Sequence, residues 1–184
     1  MNIYNEAEVL DNLHSNEPLI QHKAFEQMVR YYSEKLYWHI RKIVLSHDDA
    51  NDVLQNTFIK AWMNIELFRG ESKLSTWLYK IAINESITFI NKQRAHTLLS
   101  MDDDEAIFAR KLEADEYFDG DEAQMKLQKA ILTLPEKQRL VFNLRYFDDM
   151  SYEEMSNILD TSVGALKASY HHASKKIENI LSRD

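Results

Sequence analysis

The sequence predicts an all-α protein: two small helical domains joined by an acidic linker, the C-terminal one a helix-turn-helix. Three observations carry this. The 184-residue chain has only three Gly and two Pro, and Pro18, Gly70, Gly120, Pro135 and Gly164 all fall at element boundaries. Apolar residues recur at intervals of three and four on both sides of a central stretch. In that stretch, from Asp102 to Glu122, periodicity gives way to ten acidic residues against Arg110 and Lys111. The divisions expected are residues 1–98, a linker at 99–122, and 123–184.

Each element follows from local chemistry. Phe25, Met28, Val29, Tyr32, Leu36, Ile40, Ile43 and Val44 predict a helix from Gln21 to Leu45. Ser46 and Asp49 have capping-box spacing and open a second helix, where Ala50, Val53, Leu54, Phe58, Ala61, Trp62 and Ile65 form an apolar stripe. Gly70 ends it. Ser75 is the expected cap of a third helix, running to about Arg94. Helices resume near Glu122. Pro135, at a first-turn position, precedes a segment with Leu140, Val141, Leu144 and Phe147 on one face. Ser151 and Glu154 form a second capping box, a two-turn helix closes at Leu159 and Asp160, and Ser162 restarts a long helix. Its buried stripe is Val163, Leu166, Tyr170, Ala173, Ile177 and Ile180. Small Ser156 with Leu166 ten residues later gives helix-turn-helix spacing.

Composition excludes several classes. There is no cysteine, hence no disulfide framework and no thiolate metal site. The start lacks a basic-then-apolar signal, and no apolar run approaches the ~20 residues of a membrane span. A cytoplasmic protein without membrane insertion is expected. Histidines are scattered, and neither H-E-x-x-H nor G-x-S-x-G occurs. No catalytic residue, metal or cofactor is expected, and the protein is read as not an enzyme. The net charge of −8 resides wholly in the acidic stretch. Elsewhere charge separates locally: Arg69 to His96 holds five basic and two acidic residues, Val163 to the end four and two. Such patches decide where phosphate docks.

Two faces fit nucleic acid. In a helix-turn-helix the second helix enters the major groove, and here it presents Ala165, Lys167, Ala168, Ser169, His171, His172 and Lys175, small or hydrogen-bonding side chains. An ordinary two-helix corner has the same spacing, so both readings stay open. Upstream, Lys80, Asn84, Asn91 and Arg94 follow one side of a helix preceded by the Arg69 to Ser75 loop, a combination suited to a backbone with unstacked bases. Trp77 is open to a core or a stacking role. The polar face with Asp52, Gln55, Asn56, Ile59, Lys60 and Met63 reads as solvated or as a docking face.

The segments "DDANDVLQNTFIKAWMNIELFRGESKLSTWLYKIAINE" and "LPEKQRLVFNLRYFDDMSYEEMSNILDTSVGALKASYHHASKKIENIL" together resemble bacterial RNA polymerase sigma factors of the extracytoplasmic-function group. The resemblance covers about 21–94 and 124–181. It implies a transcription initiation factor that binds core RNA polymerase (clamp and flap regions) and directs it to promoter DNA, and an anti-sigma factor as a further partner. It assigns clamp contact to Asp52, Gln55, Asn56, Ile59 and Lys60. It assigns the minus-ten element, with one flipped base, to Arg69, Lys73, Ser75, Trp77, Lys80 and Asn84. The minus-thirty-five element falls to Lys167, Ala168, Ser169, His171 and His172, with Lys175 on phosphate.

Relatives often carry several Arg along the reading helix; this chain has paired His, and Arg is the usual bidentate partner of guanine. Weak affinity for DNA in the absence of polymerase is therefore expected. The acidic linker is expected to lie in a basic polymerase channel. A stand-alone helix-turn-helix regulator is the alternative reading: it needs no polymerase and tolerates changes at Asp52 or Gln55.

Overall fold

The computed structural model describes residues 4–97 and 122–182. Among them all regular structure is helical: α1 (Glu6–Leu13), α2 (Pro18–Val44), α3 (His47–Asn64), a 3-10 turn (Ile65–Leu67), α4 (Leu74–Thr97), α5 (Glu122–Leu132), α6 (Glu136–Tyr146), α7 (Tyr152–Leu159) and α8 (Val163–Leu181). Of the linker expected over 99–122, residues 99–121 lie outside the described residues, as does the Arg94 side chain, and Glu122 already opens α5.

The helix boundaries refine the sequence reading. The eight-residue α1, absent from it, is capped by Asn5 and buries Val9 and Leu13 against α2. The expected start of α2 at Gln21 is corrected to Pro18, because proline at the first helical position has its φ preset and lacks only an N–H that would be unpaired there. α2 ends at Leu45, whose left-handed backbone (φ 68°) returns its N–H to Arg41 O at 2.9 Å. Ser46 caps α3 by accepting from Asp49 N at 3.3 Å. Ser75 does not cap α4. That helix already begins at Leu74, whose N–H faces Glu6 Oε1 at 3.4 Å, so a carboxylate from α1 sits at the positive end of the helix dipole. Pro135 is a capping residue with extended ψ (144°), and α6 starts after it.

Met28, Leu36, Ile40, Leu74 and Leu78 fill the centre of α1–α4, and this apolar cluster continues without a break into Leu132, Val141, Leu144, Met155, Ile158 and Leu166. A second cluster, Ala130, Ile131, Leu134, Phe142, Ala173 and Ile177, joins α5, α6 and α8. The two helical bundles therefore touch: α4 packs on α7, and α2 on α6.

Candidate nucleic-acid interface

The helix-turn-helix is fixed by its caps. Ser151 Oγ accepts from Glu154 N at 3.2 Å while Glu154 Oε2 accepts from Ser151 N at 3.2 Å, so two otherwise orphaned donors are satisfied reciprocally. α7 stops at Asp160, which takes the left-handed conformation (φ 49°, ψ 41°) that short polar side chains tolerate. Ser162 then caps α8 by accepting from Ala165 N at 3.3 Å. Leu166, Ala173 and Ile177 anchor α8 in the core, which leaves Lys167, Ala168, His171, His172 and Lys175 exposed. Ser169, expected among the outward residues, is half-buried and lines a cleft facing α4, because it stands three positions after buried Leu166. Val163 is likewise only half-buried. Arg145 and Lys167 both approach the Tyr152 ring, at 5.5 and 5.6 Å from its centroid.

On α3, Asp52, Gln55, Asn56, Ile59 and Lys60 are all exposed. Ile59 (50 %), Met63 (74 %) and Leu67 (74 %) are large apolar side chains open to solvent at intervals of four, so the polar face carries an apolar ridge, of which the sequence reading placed Ile59 and Met63 on that face and missed Leu67. Lys60 turns toward α4: its Nζ donates to Glu85 Oε1 at 2.5 Å. With Asn64, Leu67, Trp77, Ile81, Asn84 and Glu85 it lines a cleft of about 350 Å³. Trp77 packs against Phe68 with ring centroids 5.0 Å apart and also borders this cleft, so core and surface roles meet in one residue. Asn64, missed in the sequence, stands one turn after Lys60 and donates to Lys60 O at 2.8 Å; polar spacing of four on α3 was the available signal.

The loop before α4 turns at Gly70, whose φ of 72° favours glycine. Arg69 is exposed. Ser75 opens instead into an inter-bundle cleft of about 590 Å³ with Thr76, Tyr79, Tyr31, Trp38 and Phe147. The structure thus splits the minus-ten set: Trp77 and Asn84 share one cleft, Lys80 and Asn84 another, and Ser75 neither.

Both lysines of that set meet acids from the other bundle. Lys73 Nζ donates to Glu154 Oε1 at 2.7 Å, and Lys80 Nζ to Asp160 Oδ2 at 2.9 Å. The Lys73 bond, then the Ser151 hydroxyl, holds the Glu154 carboxyl below the usual range, and the same bond raises the Lys73 ammonium. Beneath them His39, fully buried, shares a hydrogen bond between Nδ1 and Asp148 Oδ2 at 2.6 Å. Lys42 Nζ donates to Asp148 Oδ1 at 3.2 Å and lies over the Phe147 ring at 4.7 Å. Asp148 is aimed at α2 by the turn that ends α6: Met150 N returns to Leu144 O at 3.0 Å over left-handed Asp149 (φ 46°). Burial pushes the Asp148 carboxyl up, but the His39 bond and the charges of His39 and Lys42 together carry it below the ordinary range.

Among the described residues no helix is long and apolar enough to cross a membrane, and no three His, Asp or Glu side chains gather as metal ligands.

Comparison with known proteins places residues 28–96 in sigma-70 region 2 and residues 124–177 in sigma-70 region 4. The ECF RNA polymerase sigma factor SigW of Bacillus subtilis is 31 % identical over 166 residues, covering 86 % of this chain and 89 % of that protein. The ECF RNA polymerase sigma-E factor of Escherichia coli K12 is 32 % identical over 167 residues, covering 85 % and 86 %. Two solved structures share the fold at 22 % identity. CnrH, in complex with the cytosolic domain of CnrY, has a TM-score of 0.71 over 97 % of this chain and 98 % of its own. RpoE of Bartonella quintana, in complex with the anti-sigma factor NepR, has 0.69 over 88 % and 99 %.

Proposed function

The chain belongs to the ECF RNA polymerase sigma factors, transcription initiation factors that direct polymerase to promoters, and on that premise we propose how its surfaces divide the work. The α1–α4 bundle, residues 1–98, docks on core polymerase through Asp52, Gln55, Asn56 and Ile59, extended by Met63 and Leu67. It captures opened minus-ten strand with Arg69, Lys73, Trp77, Lys80 and Asn84. The 123–184 module reads the minus-thirty-five duplex with Lys167, Ala168, His171 and His172 while Lys175 neutralises phosphate. The acidic linker joins the two modules through the polymerase.

One observation supports this reading above the rest: a cleft lined by Trp77, Asn84 and Lys60 adjoins the Gly70 loop on one bundle, while the other bundle presents an exposed, capped reading helix. An aromatic wall with amide and ammonium donors suits an extruded base, whose capture compensates a few kcal/mol of unstacking. Holding that base shifts the duplex toward the open form. Lys60 thus moves from the polymerase face to the strand face. Ser75, opening elsewhere, is left out of the strand contacts. The chain itself makes and breaks no covalent bond, and it acts in the cytoplasm with the polymerase.

An anti-sigma factor is the further partner. The cleft of about 600 Å³ between α4 and the second bundle, lined by Ile83, Ile87, Leu140, Ile158 and Leu159, suits the apolar face of a partner helix.

Run-off transcription with purified bacterial core polymerase on a genomic promoter library tests the proposal. Defined start sites that vanish with Asp52→Ala/Gln55→Ala support it; sequence-specific gel shifts without polymerase, unaffected by that pair, favour a stand-alone regulator and overturn it.

A further inference from the structure

We propose that the helix-turn-helix module is a built-in competitor for the strand-binding face: Glu154 and Asp160 of α7 occupy Lys73 and Lys80 as strand phosphates would, and a buried His39–Asp148–Lys42 clasp holds the chain shut. This rests on the reading of Lys73 and Lys80 as strand contacts.

A carboxylate oxygen and a phosphate oxygen are the same kind of acceptor to an ammonium, and each of the two lysines already has one at bonding distance, 2.7 and 2.9 Å. One ammonium has three donors, but the carboxylates bring negative charge and the mass of α7 with them, so DNA backbone cannot approach the same side without repulsion. Strand and α7 therefore exclude one another.

The rim pairs alone hold weakly, since Lys73, Lys80 and Asp160 are solvent-exposed enough for water and salt to screen them. The clasp is different. His39 is fully buried and the Asp148 side chain is 8 % exposed. His39 lies against the Tyr79 ring of α4 at 4.9 Å, Asn143 of α6 donates to Lys42 O at 3.4 Å, and the apolar core runs through the same contact. Taking one partner from a buried, hydrogen-bonded pair strands the other, so the clasp holds as a unit. When the modules part, both partners regain water, which makes the contact reversible.

Because the chain has no cysteine, Lys23→Cys on α2 and Asn179→Cys on α8, both exposed positions, accept a donor and acceptor dye cleanly. Energy transfer between them reads closure. Asp148→Asn/Asp160→Asn removes the clasp charge and one rim acid while Asn keeps the left-handed turn at 160; Lys42→Gln is the second variant, and circular dichroism checks folding. Transfer should fall in both variants. Affinity for a fluorescent, random-sequence single-stranded 15-mer should rise about tenfold where the wild type is open for about one tenth of the time. Unchanged transfer, or opening without tighter strand binding, overturns the inference. Run-off transcription by the same variants with core polymerase keeps the two readings apart: if it persists while the inference fails, the sigma-factor reading stands.

Discussion

Ile59, Met63 and Leu67 stand four residues apart on the outer side of the first bundle, and none contributes to the apolar core. Large apolar side chains kept in water at regular helical spacing gain their free energy only when a partner covers them. Met63→Glu should therefore leave the melting temperature nearly unchanged, as exposed substitutions do within about 0.5 kcal/mol. Affinity for core polymerase should fall at least tenfold, about 1.4 kcal/mol. Titration of core with labelled chain, beside a thermal melt, separates these outcomes; a sharp loss of melting temperature with intact binding makes the ridge structural. Met63 was legible on the outer face in the sequence, but Leu67 was not, because an apolar residue beyond the end of a predicted stripe looks like more stripe until the rotation of the helix is known. Lys60 is the complementary case. It follows Ile59 directly, yet the hundred degrees between successive residues turns it to Glu85 and the Trp77 cleft.

At the scale of the element, caps carried most of what the sequence revealed. Ser46, Ser151, Asp160 and Ser162 all sit where their hydrogen-bonding chemistry requires, since each cap is decided within four residues. The reading failed where a cap comes from far away. α4 begins at Leu74 beneath Glu6, 68 positions earlier in the chain, and no local pattern encodes that. α1 escaped notice for a related reason: eight residues give barely two turns of periodicity, and its helix is secured by packing on α2. Ser151→Ala should lower stability by about 1 kcal/mol, seen as an earlier urea midpoint with an unchanged slope. Minus-thirty-five affinity of the holoenzyme at a temperature well below the transition should stay unchanged, since the Ser151 side chain bonds Glu154 of its own helix and not the α8 reading residues. A loss of affinity there would show the cap to position α8 as well as to hold α7.

For the whole molecule, the contact between bundles has a definite pH signature. Asp148 faces His39 and Lys42 of α2, the Tyr79 ring of α4, whose hydroxyl is pushed up by burial and by the nearby Asp148 charge, and its own neighbour Asp149. Its carboxyl is depressed in the closed fold, so its contribution is complete above the ordinary carboxylate value near pH ~4 and is lost as pH falls through the lower, folded value. Energy transfer between residues 23 and 179 should thus stay level from neutral pH into the ordinary carboxylate range and drop below it, ahead of helical ellipticity. In Asp148→Asn that acid step should be missing; a wild-type step centred in the ordinary range would place Asp148 outside the clasp. The closed fold is also lopsided. It engages Lys73 and Lys80, the proposed contacts of the strand backbone, and leaves Lys167, Ala168, His171, His172 and Lys175 facing water. A molecule so built can touch paired DNA upstream while still folded upon itself, and its own geometry sets a calendar for initiation in which inspection precedes commitment.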